Sequence, residues 1–590
     1  MTSQVAASKR RRARPNRLPW RLVILALLAA APCHASEIRI EIRGIEGEIE
    51  EAVRANLELQ QYADRDATPA QVRRLFNRAD EQIRAALEPF GYYNAVVHGN
   101  LELTDKGYRA SFQVEPGERV RVVKSGVRVL GPAQDDPAIQ AAVQAFKPAL
   151  NEPFVHSQYE NSKAAVESAL LSMGYLDARA VTQRVEISRA RNSAQIDLAW
   201  QSGPRYRFGA VRFTGGQFPE SFLHRFVPWP EGTFYTADWL LALQQRLTES
   251  GYFSSVSVLP ATQETEGDAV PVDVLLVPGK RNAYLGSIFY GTDSGIGVSA
   301  YYERRWLNER GHKLRTEVEY SQRLKTINTL YRIPLGGLND RSYNFGIAYR
   351  DEDTETSQSR NTRVVANETR QWRGFTRTLG LQYLVGDFEV GGEHRNSSLL
   401  FLEGSLTRRR ADDFVFARRG HSLSLILRGA RKGWASDTSF LQARADAKWI
   451  RALTRRQRVI LRGSLGTTTV ENFDELPPDV RFFAGGDRSV RGFDYQELGS
   501  LNEAGEVIGG ENLVVGSAEY ELYFLENWGA AVFVDAGDAF SSSDPDLHVG
   551  AGIGVRWRSP VGVVRLDFAR PVTTEENEGW RIHVVIGPDL

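Results

Sequence analysis

Three small α+β repeats followed by an antiparallel transmembrane β-barrel of about sixteen strands is the fold class that this 590-residue sequence predicts. Three observations predict it. A Gly-Tyr pair recurs after helix-like stretches at residues 91, 174 and 251. From Tyr284 onward the helical period gives way to short alternating segments broken by Gly, Asn, Asp and Pro. The chain opens on a basic stretch and a short apolar run, the pattern of a secretory signal.

The signal is expected over residues 1–35. It carries Lys9, Arg10, Arg11, Arg12, Arg14, Arg17 and Arg21 and no acid. Residues 22–31 are apolar, and Cys33 and Ala35 supply small residues for cleavage after Ala35. The alternative is a retained signal anchor, against which the run is short of the roughly 20 residues of a span. Lipidation at Cys33 is a further reading, with Pro32 standing where a small residue is expected. Without the seven cations the chain holds 66 basic and 73 acidic residues, a net of −7. That balance argues against a nucleic-acid partner. Cys33 is the single cysteine, so the mature chain offers no disulfide, zinc site or thiol catalyst. No later run is long and apolar enough for a membrane helix.

The repeats are expected at residues 36–118, 119–204 and 205–282, each reading strand, helix, helix, strand, strand. Gly91, Gly174 and Gly251 are spaced by 83 and 77 residues. Each copy closes near a Pro-Gly or Gly-Pro pair: Pro116-Gly117, Gly203-Pro204 and Pro278-Gly279. Thr68-Pro69-Ala70-Gln71 reads as a capping box with Pro at the first helical position. It opens an amphipathic run with Val72, Leu75, Phe76, Ala79, Ile83, Ala86 and Leu87 on one face. Ser157-Gln158-Tyr159-Glu160 reads as a second box, and Leu240, Leu243 and Leu247 mark a third helix. The glycines after these helices suit left-handed caps.

The barrel is expected over residues 283–590. Val564, Leu566 and Phe568 share one face and Arg565 and Asp567 the other. Ala551, Ile553, Val555 and Trp557 alternate with Gly550, Gly552, Gly554 and Arg556, and Ala518, Tyr520 and Leu522 with Glu519, Glu521 and Tyr523. Alternation alone also fits a soluble sandwich. Aromatics near segment ends, a charged and glycine-rich opposite face and the signal favour the membrane. At about 19 residues per strand and connection, the 307 residues allow about sixteen strands, with fourteen or eighteen also open.

Val490-Arg491-Gly492-Phe493 puts an arginine on a Gly-punctuated loop and, some forty residues on, Phe533-Val534-Asp535-Ala536-Gly537 puts an acid on a later strand; taken singly they read as a solvated loop arginine and a turn acid. A guanidinium on a long loop and a carboxylate on a later strand make a directional, charge-assisted anchor inside a lumen. Glu519 and Glu521 face the same way as Asp535 and are alternative partners. Gly492 permits a tight backbone, and Phe493 can pack on the inner wall.

These motifs, in this order after three repeats, resemble the BamA/TamA superfamily of outer-membrane assembly and transport proteins, and the repeats resemble POTRA domains. Three copies, Phe482-Phe483-Ala484-Gly485-Gly486-Asp487, Tyr495-Gln496-Glu497-Leu498-Gly499 and the closing Gly587-Pro588-Asp589-Leu590 resemble the TamA branch, the outer-membrane subunits of translocation and assembly modules. The resemblance implies an outer-membrane protein with its N-terminal domains in the periplasm. It implies client outer-membrane barrels and autotransporters, a TamB-like inner-membrane partner, contact with outer-membrane lipid, and no nucleotide, cofactor or metal. It further implies a weak seam between the first and last strands, here around Tyr284, Gly286, Trp580, Val584 and Ile586. The chain lacks the terminal aromatic of many such barrels, ending in Leu590. A polypeptide-secretion pore is the rival, and a diffusion porin leaves the repeats unexplained. No hydrolase elbow, metalloprotease motif or phosphate loop supports an enzyme. Arg408-Arg409-Arg410 and Arg418-Arg419 would meet lipopolysaccharide phosphates if extracellular, and are otherwise solvated loop charges.

Overall fold

The computed structural model describes residues 37–590 apart from 64, 66, 106, 336–339, 560–561, 574–578 and 590. The expected signal at 1–35, with Cys33, and the terminal Leu590 lie outside the described residues. The chain divides into two compact units. The first holds two repeats and ends at Pro204; the second holds the third repeat and the barrel.

The first repeat runs β1 (Glu37–Arg43), α1 (Glu48–Asn56), α2 (Pro69–Leu87), β2 (Val96–Thr104) and β3 (Gly107–Glu115). The second runs β4 (Arg121–Leu130), α3 (Pro137–Gln144), α4 (His156–Ser172), β5 (Arg179–Ser188) and β6 (Ser193–Gln201). The third runs β7 (Arg207–Gly215), α5 (Glu220–Leu223), α6 (Ala237–Glu249), β8 (Phe253–Pro260) and β9 (Ala269–Pro278). In every sheet the last strand is central, parallel to the first and antiparallel to the second. Its alternate residues are therefore buried under the helices. On α2 the faces close as read: Val72, Leu75, Ala79, Ile83, Ala86 and Leu87 are buried. Each large aliphatic so covered contributes roughly 1.5–3 kcal/mol. Thr68 accepts from the Gln71 N–H while the Gln71 side chain reaches back, the expected box. The second box does not form. The Tyr159 N–H bonds to the Val155 carbonyl, so α4 begins before Ser157 and leaves that hydroxyl inside the first turn. Gly91, Gly174 and Gly251 have φ of +93°, +91° and +72°, the left-handed caps anticipated.

Sixteen strands follow, β10 (Asn282–Gly291) to β25 (Arg581–Gly587), each antiparallel to the next in one meander. Among the described residues no ladder joins β10 to β25, so the sheet curls into a barrel that backbone bonds do not close. Strand length varies around it. β15 (Ser357–Trp372) and β16 (Phe375–Val390) have 16 residues and β17 (Glu393–Ala411) has 19, whereas β25 has seven. Outward positions such as Val532, Val534, Ile553 and Trp557 are exposed and apolar.

The third repeat fixes which end of the barrel is which. Its Gly-Tyr-Phe cap docks on the turn at residues 305–312. Tyr252 donates its hydroxyl to the Gly311 carbonyl at 2.6 Å, and Lys313 donates to the Ser250 carbonyl at 2.6 Å. A cation there also suits the negative end of α6. This is the near end. By alternation, the turn at 412–418 lies there too, whereas the turn at 292–294 and the loop at 471–511 lie at the far end.

Candidate functional site

The loop at 471–511 joins β20 (Gln457–Val470) to β21 (Asn512–Tyr523) and folds back into the lumen, where it is anchored by charge. Asp535 on β22 (Trp528–Phe540) holds Arg491 bidentately, accepting from Nε at 2.7 Å and Nη2 at 3.0 Å. The Arg491 backbone N–H adds a third bond to the same carboxylate at 3.1 Å. Nη1 reaches Glu519 on β21 at 2.8 Å and Asp567 on β24 (Gly562–Pro571) at 2.9 Å. The Phe533 ring lies 3.4 Å from the guanidinium carbon. Phe533 and Asp535 are two apart on one strand, so the same lumen face supplies the acid and the ring.

The expected pair is thus the centre of a larger network. Arg556 on β23 (His548–Ser559) bonds Glu519, Glu521 and Asp567 at 2.7, 3.0 and 2.5 Å. Glu521 is not a partner of Arg491; it sits one step away, between Arg556 and Arg458. The sequence places Glu519, Glu521 and Asp567 on the inner face, naming the first two as alternative partners of Arg491 and giving Asp567 none. The side chains of Arg491 and Arg556 are 3% and 0% exposed, and that of Asp535 is 0%. The anchor is therefore buried rather than solvated.

Glycine makes the close approach. A side chain at Gly550 would collide with the Arg491 carbonyl oxygen, while Gly552 and Gly554 leave room for the Phe533 ring and for the Asp567 and Arg556 side chains. Gly492 has φ of +101° and packs on the backbone of Arg570. Val490 and Phe493 are buried with Phe482, Ala484, Leu498 and Val515, which carries out the inner-wall packing foreseen for Phe493. Gly537 lies against the Val514 carbonyl, again too close for a side chain.

The near end of the lumen holds a second anchor, built on the closing Gly587-Pro588-Asp589 to which the sequence assigned no contact. After Gly587-Pro588 the chain turns inward. The Asp589 carboxylate accepts from Arg458 at 2.5 Å, from the Ala417 N–H at 2.9 Å and from Arg565. Lys448 donates to its carbonyl at 2.5 Å. Phe416, from the turn at 412–418, lies 4.1 Å from the Arg458 guanidinium carbon and 3.6 Å from that of Arg558. The one available sign was the Gly-Pro break, since Pro cannot extend a ladder.

The sequence named the seam residues without a register, and the structure shows that they do not all lie side by side. The Val584 N–H donates to Thr292 Oγ1 at 3.0 Å, so Val584 stands beside the end of β10. Gly286 lies six residues, about 20 Å, further along. Trp580 precedes β25 rather than forming part of it, and Ile586 is near its end. Because β25 is short and the tail turns in, the first part of β10 has no strand beside it among the described residues. Tyr284, Leu285 and Ile288 are 75%, 67% and 81% exposed, on both faces, as at a free edge. The arginines at 408–410 and 418–419 lie at the near end, so the condition attached to lipopolysaccharide contact is not met.

Comparison with known proteins bears on this arrangement. Residues 283–589 match the model of the Omp85 superfamily domain, 39–116 that of POTRA domain TamA domain 1, and 206–279 that of a POTRA, surface antigen variable number repeat. The outer membrane protein assembly factor BamA of Nitratidesulfovibrio vulgaris is 24% identical over 369 residues, 58% of this chain and 45% of that protein. The chain thus spans less than half the length of that curated relative. The crystal structure of BamA from Haemophilus ducreyi lacking POTRA domains 1–3 superposes with a TM-score of 0.67, at 18% identity, over 79% of this chain and all of the other. CdiB from Acinetobacter baumannii is more distant, with a TM-score of 0.46 at 14% identity over 79% of this chain and 90% of that one.

Proposed function

Because the chain belongs to the Omp85 superfamily, as an outer-membrane barrel with three POTRA domains in the periplasm, we propose that it is a TamA-like insertase. It is non-enzymatic: it helps client outer-membrane barrels and autotransporters enter the bilayer, in concert with a TamB-like inner-membrane protein. The observation that carries this reading is the free edge of β10 beside the seven-residue β25. An unpaired strand offers backbone donors and acceptors to any incoming strand, so it selects for extended conformation and tolerates many sequences. The client's own folding supplies the free energy, and no nucleotide is required. The match of the first domain to a TamA-specific model supports this branch. The network across the lumen supports insertion at the seam over passage of a chain through the centre.

Depletion followed by quantitative outer-membrane proteomics tests the reading. Loss of a set of barrel proteins and autotransporters is the expected result. Selective loss of one large exported protein, with the barrels unchanged, would replace it with a two-partner-secretion-type transporter.

A further inference from the structure

The loop that carries Arg491 also touches both sides of the seam. On β25, Arg581 donates Nη1 to the Gly492 carbonyl at 3.0 Å, and the Gly492 N–H donates to His583 Nε2 at 3.0 Å. Since Nε2 accepts, the ring proton of neutral His583 is on Nδ1, which donates to Asp487 Oδ1 at 2.7 Å. Asp487 lies four residues before Arg491 on the same loop. The same Oδ1 accepts from Thr292 Oγ1, in the turn after β10, at 2.7 Å. Thr292 Oγ1 in turn accepts from the Val584 N–H at 3.0 Å, and the Asp487 N–H donates to Asp293 Oδ2 at 2.9 Å. The far end of the seam is thus closed by a side-chain chain, from the turn after the first strand, through one loop carboxylate, to the last strand.

From this geometry we infer that Thr292, Asp487 and His583 form a latch that couples the Arg491 anchor to lateral opening at the far end of the barrel. Where a ladder would hold two edges with a row of backbone bonds, this seam is held at its far end by a few bonds centred on Asp487 and Thr292. Releasing the loop from Asp535 withdraws Asp487, which bonds to both edges, and leaves the Thr292–Val584 bond to hold them. Thr292 is the residue that isolates the idea. Its hydroxyl bonds to the loop and to β25 at once, and Val has nearly its shape without either bond. The inference deepens the insertase reading, but it concerns the seam itself and is measured without a client.

The test is hydrogen exchange on the full-length protein in lipid nanodiscs, comparing native, Thr292→Val, Thr292→Ser and Arg491→Ala chains. Thr292→Val is expected to speed exchange of amides at 581–587 by roughly tenfold, the scale of one or two lost hydrogen bonds, with amides at 512–540 unchanged. Thr292→Ser keeps the hydroxyl and should match the native chain. Arg491→Ala should speed the same seam amides, and for it heat-modifiable migration on gels first establishes a folded barrel. Unchanged seam exchange in Thr292→Val, or Thr292→Ser behaving like Thr292→Val, overturns the latch. Unchanged seam exchange in a folded Arg491→Ala overturns the coupling. Failure of client insertion in cells, with these exchange results intact, would instead remove the insertase reading and leave the latch standing.

Discussion

At the scale of single residues, the decisive quantity is the burial of Arg491. A guanidinium in water loses little when one partner goes, whereas one enclosed by Asp535, Glu519, Asp567 and the Phe533 ring leaves uncompensated charge behind. Asp535→Ala or Arg491→Ala should therefore cost on the order of 3–5 kcal/mol of barrel stability. The double variant should be less unstable than the two losses summed, because each single change leaves a charge that the second removes. Thermal unfolding followed by gel mobility measures this, and strict additivity would mean that the two groups act independently. Asp293, in the turn beside β10, gives a pH signature. Burial, and then repulsion from Asp487, push its carboxyl up from 3.8 to about 7, while the bond from the Asp487 N–H and the charge of Arg323 pull the other way. A folded pKa above the unfolded one means that the native state holds the proton more tightly. The contribution to stability is then full below about 4, falls as pH rises to about 7, and is flat beyond. Seam protection, measured against the intrinsic pH dependence of amide exchange, should fall between pH 5 and 7, and Asp293→Asn should remove that fall; an Asn variant with the native protection profile would sink the assignment.

At the scale of elements, the last strand explains both the free edge and the buried tail. Seven residues fall short of the 9–11 that cross a bilayer, and Pro588 ends the ladder donors. The chain then turns into the lumen, where Arg458, Arg565, Lys448 and the Ala417 N–H receive Asp589 and its carbonyl. Cysteine pairs should report this register. Gly291→Cys with Val585→Cys should bridge, since β25 lies beside the end of β10, and Gly286→Cys with Val584→Cys should not, being separated by far more than about 7 Å. Efficient bridging of the second pair would mean that β25 slides along β10 in the membrane. Much of this level was legible in the sequence. Period, caps and the Gly-Tyr signature located the repeats because those signals are local. Alternation placed Glu519, Glu521 and Asp567 on the inner face for the same reason. What stayed hidden was non-local. Asp589 meets Arg458 across 131 residues and Thr292 meets Asp487 across 195, and no periodicity encodes which inward side chains converge.

At the scale of the whole molecule, the arrangement of charge inside the barrel bears on the choice between the proposed insertion and its rival, secretion. A pore that exports an unfolded chain needs a lumen wide enough for an extended backbone with its side chains. Here the loop at 471–511 is anchored across β21–β24, and the turn at 412–418 brings Phe416 between Arg458 and Arg558 at the other end. Moving the loop aside means breaking buried ion pairs that cost several kcal/mol each to separate, and moving the turn means breaking its ring contacts and the bonds of Ala417 to Asp589 and Arg458. Opening the seam asks less, because its two edges share no ladder. In planar bilayers the native protein should therefore be nearly silent, with brief, small openings. Asp589→Ala should raise steady conductance by freeing the turn and tail at the near end. In cells the same variant should leave the outer-membrane level of client barrels within about twofold of native, since the free edge of β10 does not depend on a conducting lumen. Large, stable conductance in the native chain, or loss of an exported polypeptide in step with blockage of that conductance, would transfer the function from the seam to the lumen.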